Sequence, residues 1–393
     1  MSRFTKRRMS LRCWPASSLV VALLCSALLG PDALGAPTIA ITSLPPFGVS
    51  GSMQGTVSDV DPSQYRVASF ILVPGVGWFA KPTGDAPTVA INPDGTWSAN
   101  VDTGGMDTRA TIYGAWLVPK DFNVPASPPP GNYRVPAALD AFAHDVKERY
   151  GRTVEFAGRT WSVRDSPLPS GPEANRFSSL DPDVWVDSAG LHLTLKLRDG
   201  QWWGSEVTLL GPHLGYGTYS YQINSRTDIL DVNVVFGGGF TWDDYGDEEA
   251  PDGSHNREID IGEDSRWGQP GIPNTQNIKH PYRFGPANEH RFRLPDLSGD
   301  ARLTRILIWK PESLRFITVR GHYSAMDFPA SAVAHEYTYT HDPAAARYVT
   351  VPGRERIHFN LWLNNLAKPP GPTNGQPVEV VITNFGFAPL KAD

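Results

Sequence analysis

The chain has 393 residues, a formal net charge of −6, 40% hydrophobic residues and 19% charged ones, enough for two or three domains of about 100 to 200 residues with a sizeable core. A mildly acidic chain with no basic run is poorly suited to nucleic acid or to an anionic membrane surface, and its balance fits a neutral ligand. Both cysteines, Cys13 and Cys25, fall in the first 36 residues, so a chain without that segment has no disulfide framework, thiol nucleophile or thiolate metal site.

Residues 1–36 read as a signal peptide. Arg3, Lys6, Arg7, Arg8 and Arg12 make a positive start, Leu19 to Leu29 an apolar run, and Ala33-Leu34-Gly35 a small-residue cleavage site. The run is too short for a comfortable membrane span. The expectation is export, secreted or periplasmic, as a monomer not held in a membrane, with a formal charge of about −10 after cleavage.

Residues 37–125 hold short β-favouring segments, "TIAITSL", "YRVASFILV", "TVAI", "TWSANV" and "ATIYGAWLV". The "NPDGT" between Ile91 and Trp97 is a hairpin signal. A small accessory β-sandwich of immunoglobulin-like type is expected here, with Trp78 and Trp97 as candidate glycan platforms and a spacer role as the blander reading. Residues 126–136 lie in the Pro-rich stretch "VPASPPPGNYRVP" and read as a linker. In the remainder, 137–393, a helix is expected over Ala137 to Gly151, where Leu139, Phe142, Val146 and Tyr150 recur at spacings of three and four. From Thr153 onward strand patterns return without a further helix, which favours one large antiparallel sandwich.

The stretch "REIDIGEDSRWG" (Arg257 to Gly268) carries Glu258, Asp260 and Glu263. Strand alternation puts Glu258 and Asp260 on one face and Ile259, Ile261 and Glu263 on the other, which would bury Glu263 among apolar groups at a cost of several kcal/mol. A β-bulge at Gly262 restores Glu263 to the face of the other two, glycine tolerating the positive φ that one bulge type needs. Three carboxylates on one face repel one another and hold at least one proton, as a pair serving retaining glycoside hydrolysis requires. The plainer alternative is a polar strand facing solvent.

"EIDIGE" resembles the Glu-x-Asp-x-x-Glu signature of glycoside hydrolase family 16. "LGYGTYSYQINS", "VNVVFGGGFTW", "IHFNLWLNN" and "VEVVITNFGF" resemble its neighbouring strands, over roughly Val154 to Leu390. The resemblance implies a concanavalin A-like β-sandwich (jelly roll) that cleaves internal β-1,3 or mixed β-1,3/1,4 linkages of a polysaccharide with retention. It implies Glu258 as nucleophile, Asp260 as its supporting carboxylate and Glu263 as acid/base. Glycine at 262 departs from the bulky apolar residue more usual there.

Sugar rings pack on aromatic faces, so Trp242, Trp267 and one of Trp202 and Trp203, Trp203 being the choice, are candidate substrate-binding residues. His280 and Gln276 could reach the cleft as hydrogen-bond donors. Trp161, Trp185, Trp309 and Trp362 are assigned to the core. No cofactor or metal is required. "WDDYGDEEAPD" (Trp242 to Asp252) could hold calcium through its acids, but its order does not match the regular calcium loop and it reads as solvated. The rival to an enzyme is a lectin-like carbohydrate-binding protein on the same fold.

Overall fold

Period-two alternation of apolar and polar residues lays down the layers of this protein. The computed structural model describes residues 35–125, 134–246, 251, 253, 256–281, 288–324, 326–364 and 371–391. The expected signal peptide, apart from its last two residues, lies outside the described residues, as do most of the expected linker and much of the acidic loop after Trp242. Among the described residues the helices are 3-10 turns of three residues each, and none is long and apolar enough to cross a membrane.

The amino-terminal part is a small two-sheet sandwich. Thr38–Ser43, Ser52–Ser58 and Thr96–Asn100 form one sheet. Tyr65–Val73 is the hub of the other, pairing with Gly77–Lys81, Thr88–Ala90 and Ile112–Pro119. Ile39, Met53, Val67, Trp97 and Tyr113 pack between them. The expected hairpin is present: Asn92 N–H donates to Thr96 O at 2.8 Å and Gly95 takes φ +82°.

The helix expected over Ala137 to Gly151 does not form. Only Ala137–Leu139 makes a 3-10 turn, and His144–Glu148 is a strand paired with Ile112–Trp116. Phe142, Val146 and Tyr150 are also even-numbered steps apart, so the same spacing satisfies a strand, and the open edge of Ile112–Pro119 supplied a ladder that an isolated short helix lacks. Asp145 in this strand accepts from Ile41 N–H at 2.8 Å. The first sandwich therefore reaches Glu148, beyond the boundary expected at residue 125.

The expected large antiparallel sandwich follows. One eight-stranded sheet runs in the spatial order Glu289–Phe292, Thr275–Lys279, Ile259–Asp264, Val234–Trp242, Arg356–Leu363, Ser205–Leu209, Arg159–Val163, Thr153–Phe156. A second is built on Gly190–Arg198, Val378–Pro389, Gly217–Asn224, Arg302–Lys310, Ser313–Arg320 and Val333–Thr340, edged by Val184–Asp187. Neighbours in space are mostly not neighbours in sequence, as in a jelly roll. The facing sides interlock through Trp161, Tyr219, Phe236, Leu307, Phe359 and Ile382, each large side chain worth about 1.5–3 kcal/mol on burial.

Candidate active-site cleft

The acid strand Ile259–Asp264 departs from regular pairing where the alternation argument requires it. Asp260 lies opposite Ile278 and Glu263 opposite Gln276, so Ile261 and Gly262 face the single residue Asn277. Ile259 and Ile261 point into the core, while Glu258, Asp260 and Glu263 share the outer face and line one cavity. Asn277 Nδ2 donates to Ile261 O at 2.7 Å and the Tyr221 hydroxyl to Gly262 O at 3.1 Å. Both bulge carbonyls thus have side-chain partners.

The reason for glycine at 262 differs from the expected one. Gly262 does not adopt positive φ; Gly238 on the adjacent strand does, at +57°. Val234–Trp242 carries its own bulge between Phe236 and Gly238, beside the first, and a Cβ on Gly238 would sit 2.2 Å from Gly262 O. At Gly262 a Cβ would press on the Arg305 side chain at 3.1–3.2 Å. Arg305 rises from the opposite sheet to meet Asp264 at 2.6 Å, both 0% exposed. The small residue makes room for this buried ion pair.

The cleft floor follows from the same alternation. Trp242 and Phe240, Glu206 and Thr208, and His358, Asn360 and Trp362 all face a cavity of about 580 Å³, while Val207, Leu209, Ile357, Phe359 and Leu361 face the core.

Electrostatics separate the acids. Burial, helped by Asp260, raises Glu258 to about 7 despite the opposing His280. Burial and Asp260 hold Glu263 well above the usual carboxylate range, and Gln276 Nε2 donates to it. His280 contacts Asp260 through Nε2 at 3.1 Å and Glu258 through Nδ1 at 3.4 Å. Burial lowers its affinity for a proton, but Glu258 and Asp260 outweigh that and raise it to about 9, so His280 is a cation at neutral pH. Glu258, Asp260 and His280 offer ligand atoms within 4.8 Å of one another and are the residues that could take a metal ion. A protonated His280 supplies positive charge at the same spot.

Across the floor lies a carboxylate the sequence reading missed. Glu206 pairs with Arg164 at 2.8 Å and meets His358 Nδ1 at 3.3 Å and Asn360 Nδ2 at 3.4 Å. Burial would raise it, but Arg164 and His358 prevail and lower it to about 2. The signal was present: "SEVTLL" and "RIHFNLWL" alternate polar with apolar residues as "EIDIGE" does.

The tryptophans divide. Trp242 and Trp267 line the cavity as expected, and Trp362, assigned to the core, is 4% exposed in a small buried cluster with Phe177 and Val235, edge-on beneath Trp267 at 5.5 Å. Trp203 is not among the cavity-lining residues. Its short strand Gln201–Trp203 pairs with Gly190–Arg198 of the other sheet, and the Arg198 guanidinium covers its ring at 4.5 Å. Trp202 packs against the main core. Trp161 and Trp309 are in that core, and Trp185 stacks on His192. Trp78 and Trp97 cannot be glycan platforms, each being 2% exposed. Trp97 fills the first sandwich, and Trp78 Nε1 donates to Asp244 O at 2.9 Å. Asp243, expected to be solvated, is buried against Arg257.

No protein-family model and no curated protein matches the chain. Among solved structures, it overlaps an immunostimulatory antigen and pseudo-β-1,3-glucanase of Mycobacterium tuberculosis (15% identity, 57% of this chain and 88% of that one, TM-score 0.40). It also overlaps a family 16 mixed-linkage glucan enzyme of Bacteroides ovatus in complex with its product (14%, 58% and 94%, 0.38). A third overlap is with a putative β-glucanase of Mycobacterium abscessus (14%, 60% and 94%, 0.40).

Proposed function

We propose that the chain is a retaining glycoside hydrolase of family 16 acting on a neutral β-linked polysaccharide. One observation carries this reading: a bulged strand sets Glu258, Asp260 and Glu263 on one face of a cleft, with His280 against Glu258 and Asp260 and Gln276 on Glu263. Glu263 keeps its proton and is the general acid. Glu258, beside the His280 cation at 3.4 Å, is the nucleophile. Glu258 attacks the anomeric carbon as the glycosidic C–O bond breaks and Glu263 protonates the leaving oxygen. Glu263 then takes a proton from water, whose oxygen displaces Glu258 and releases the sugar. Asp260 and His280 position and polarise Glu258. Trp242 and Trp267 offer apolar faces to the rings, and Gln276 holds Glu263. β-1,3- and mixed β-1,3/1,4-glucans are the substrate class proposed, the protein being exported after loss of its first 36 residues.

The test is reducing-end release by the purified protein on laminarin, lichenan, agarose, carrageenan and xyloglucan, with Glu258→Gln as the blank. Release from one polymer, absent in the blank, supports the reading. Saturable polysaccharide binding without new reducing ends, retained in Glu263→Gln, would assign a carbohydrate-binding protein instead.

A further inference from the structure

The cleft floor is lopsided about the acids. On one side it crosses Thr275–Lys279 and stops at the edge strand Glu289–Phe292, with Arg291 exposed. On the other it crosses four strands to Arg159–Val163, roughly 19 Å at about 4.8 Å per strand. That longer arm ends against the amino-terminal sandwich.

The contact is a fixed wall. The hairpin tip Pro74–Val76 meets the floor where Arg164 donates to Pro74 O at 3.2 Å and Gly171 N–H to Gly75 O at 2.8 Å. Gly75 has φ +68°, and a Cβ there would lie 1.9 Å from the Arg164 guanidinium. Arg109 pairs with Asp165 at 2.8 Å, Glu148 with Arg356 at 2.9 Å, and Trp78 binds Asp244. Phe47, Leu72 and Val76 of the first sandwich line the same cavity as the acids. Between acids and wall the floor is polar, with Glu206, Thr208, His358 and Asn360 in the cavity lining.

We propose that this wall makes the protein work from a chain end. The terminal sugars of a neutral β-glycan enter the long arm, the end unit stops against the wall, and Glu258 and Glu263 cut at a fixed distance from it. A cavity of about 580 Å³ is in the range, about 300–1,000 Å³, of sites that enclose a small ligand, and the wall stops a polymer from lying through it. The inference rests on the glycosidase reading and replaces the internal cleavage that the sequence resemblance implies.

Products are followed from the first per cent of reaction on a linear polymer that the protein hydrolyses, and on a macrocyclic glucan of the same linkage. One dominant short oligosaccharide from the start, with the macrocycle cut at least about tenfold more slowly, supports the wall. A broad ladder of sizes, with the macrocycle cut as fast, overturns it while leaving the glycosidase reading intact. No release from any linear polymer removes the glycosidase reading, and this one with it. Gly75→Ala, outside the acid machinery, lifts the hairpin tip and should broaden the product sizes. An unchanged profile, with unchanged melting, would deny the wall its role.

Discussion

Two groups of carboxylates share one sheet face and behave oppositely. Glu206 meets Arg164 and His358 and is lowered to about 2, whereas Glu258 and Glu263 share His280 with Asp260 and are both raised. Burial disfavours charge in each place. The difference is stoichiometry: one acid facing Arg164 and His358 stays ionised, while three acids around one imidazolium keep a proton. A cleft needs both, a settled ion pair to hold its floor and an unsettled group to move protons.

The contrast breaks most visibly in catalysis. Glu263→Gln should lower kcat on the order of 10⁴-fold, while Glu206→Gln changes it by less than about tenfold; equal losses in the two variants would deny Glu263 its special role. Next in size is stability. Arg164→Met leaves buried Glu206 with only His358 and Asn360 in place of its guanidinium partner, and urea unfolding should show a loss of about 3–5 kcal/mol. Adding Glu206→Gln should recover part of it, and no recovery would mean that the loss belongs to the wall contacts of Arg164.

Acidity separates the two groups by sign. Glu206 is lowered on folding, so its contribution is complete above about pH 4.5 and is lost as pH falls through about 2. His280 is raised, so its contribution is complete below about pH 6.5 and is lost as pH rises through about 9. Glu258, also raised, favours folding less as pH climbs from about 4.5 to 7. Melting temperature should therefore fall on the alkaline side, and His280→Gln should flatten that decline, worth on the order of 2–3 kcal/mol. An unaltered alkaline limb in the variant would show that His280 is not held by these acids. The smallest effect concerns the bulge: Gly262→Val presses on Arg305 and should cost about 1–3 kcal/mol, read by denaturant melts, and a neutral result would show that Arg305 moves aside freely.

Much of the site was legible because strands write their faces in a period of two. Glu258, Asp260 and Glu263 could be placed on one face from their numbers alone once Gly262 was taken as a bulge, and Trp242, Trp267, His280 and Gln276 lie in the cleft. The same rule applied to Ser205–Leu209 and Arg356–Leu363 would have found Glu206, His358 and Asn360, whose signal was spread over two strands far apart in sequence. It misled over Ala137 to Gly151, where spacings of three and four agree with helix and strand alike, and the free edge of Ile112–Pro119 decided between them.

By itself, the order of residues determined the all-β character, the two sandwiches and the need for a bulge beside the acids, because each depends on local alternation and turn chemistry. Only the tertiary structure decided why residue 262 is glycine, since Arg305 comes from the opposite sheet. It also decided that Trp203 leaves the cleft, and that the first sandwich stands at the end of the floor. Those outcomes depend on which distant segments meet, and no spacing along the chain records that.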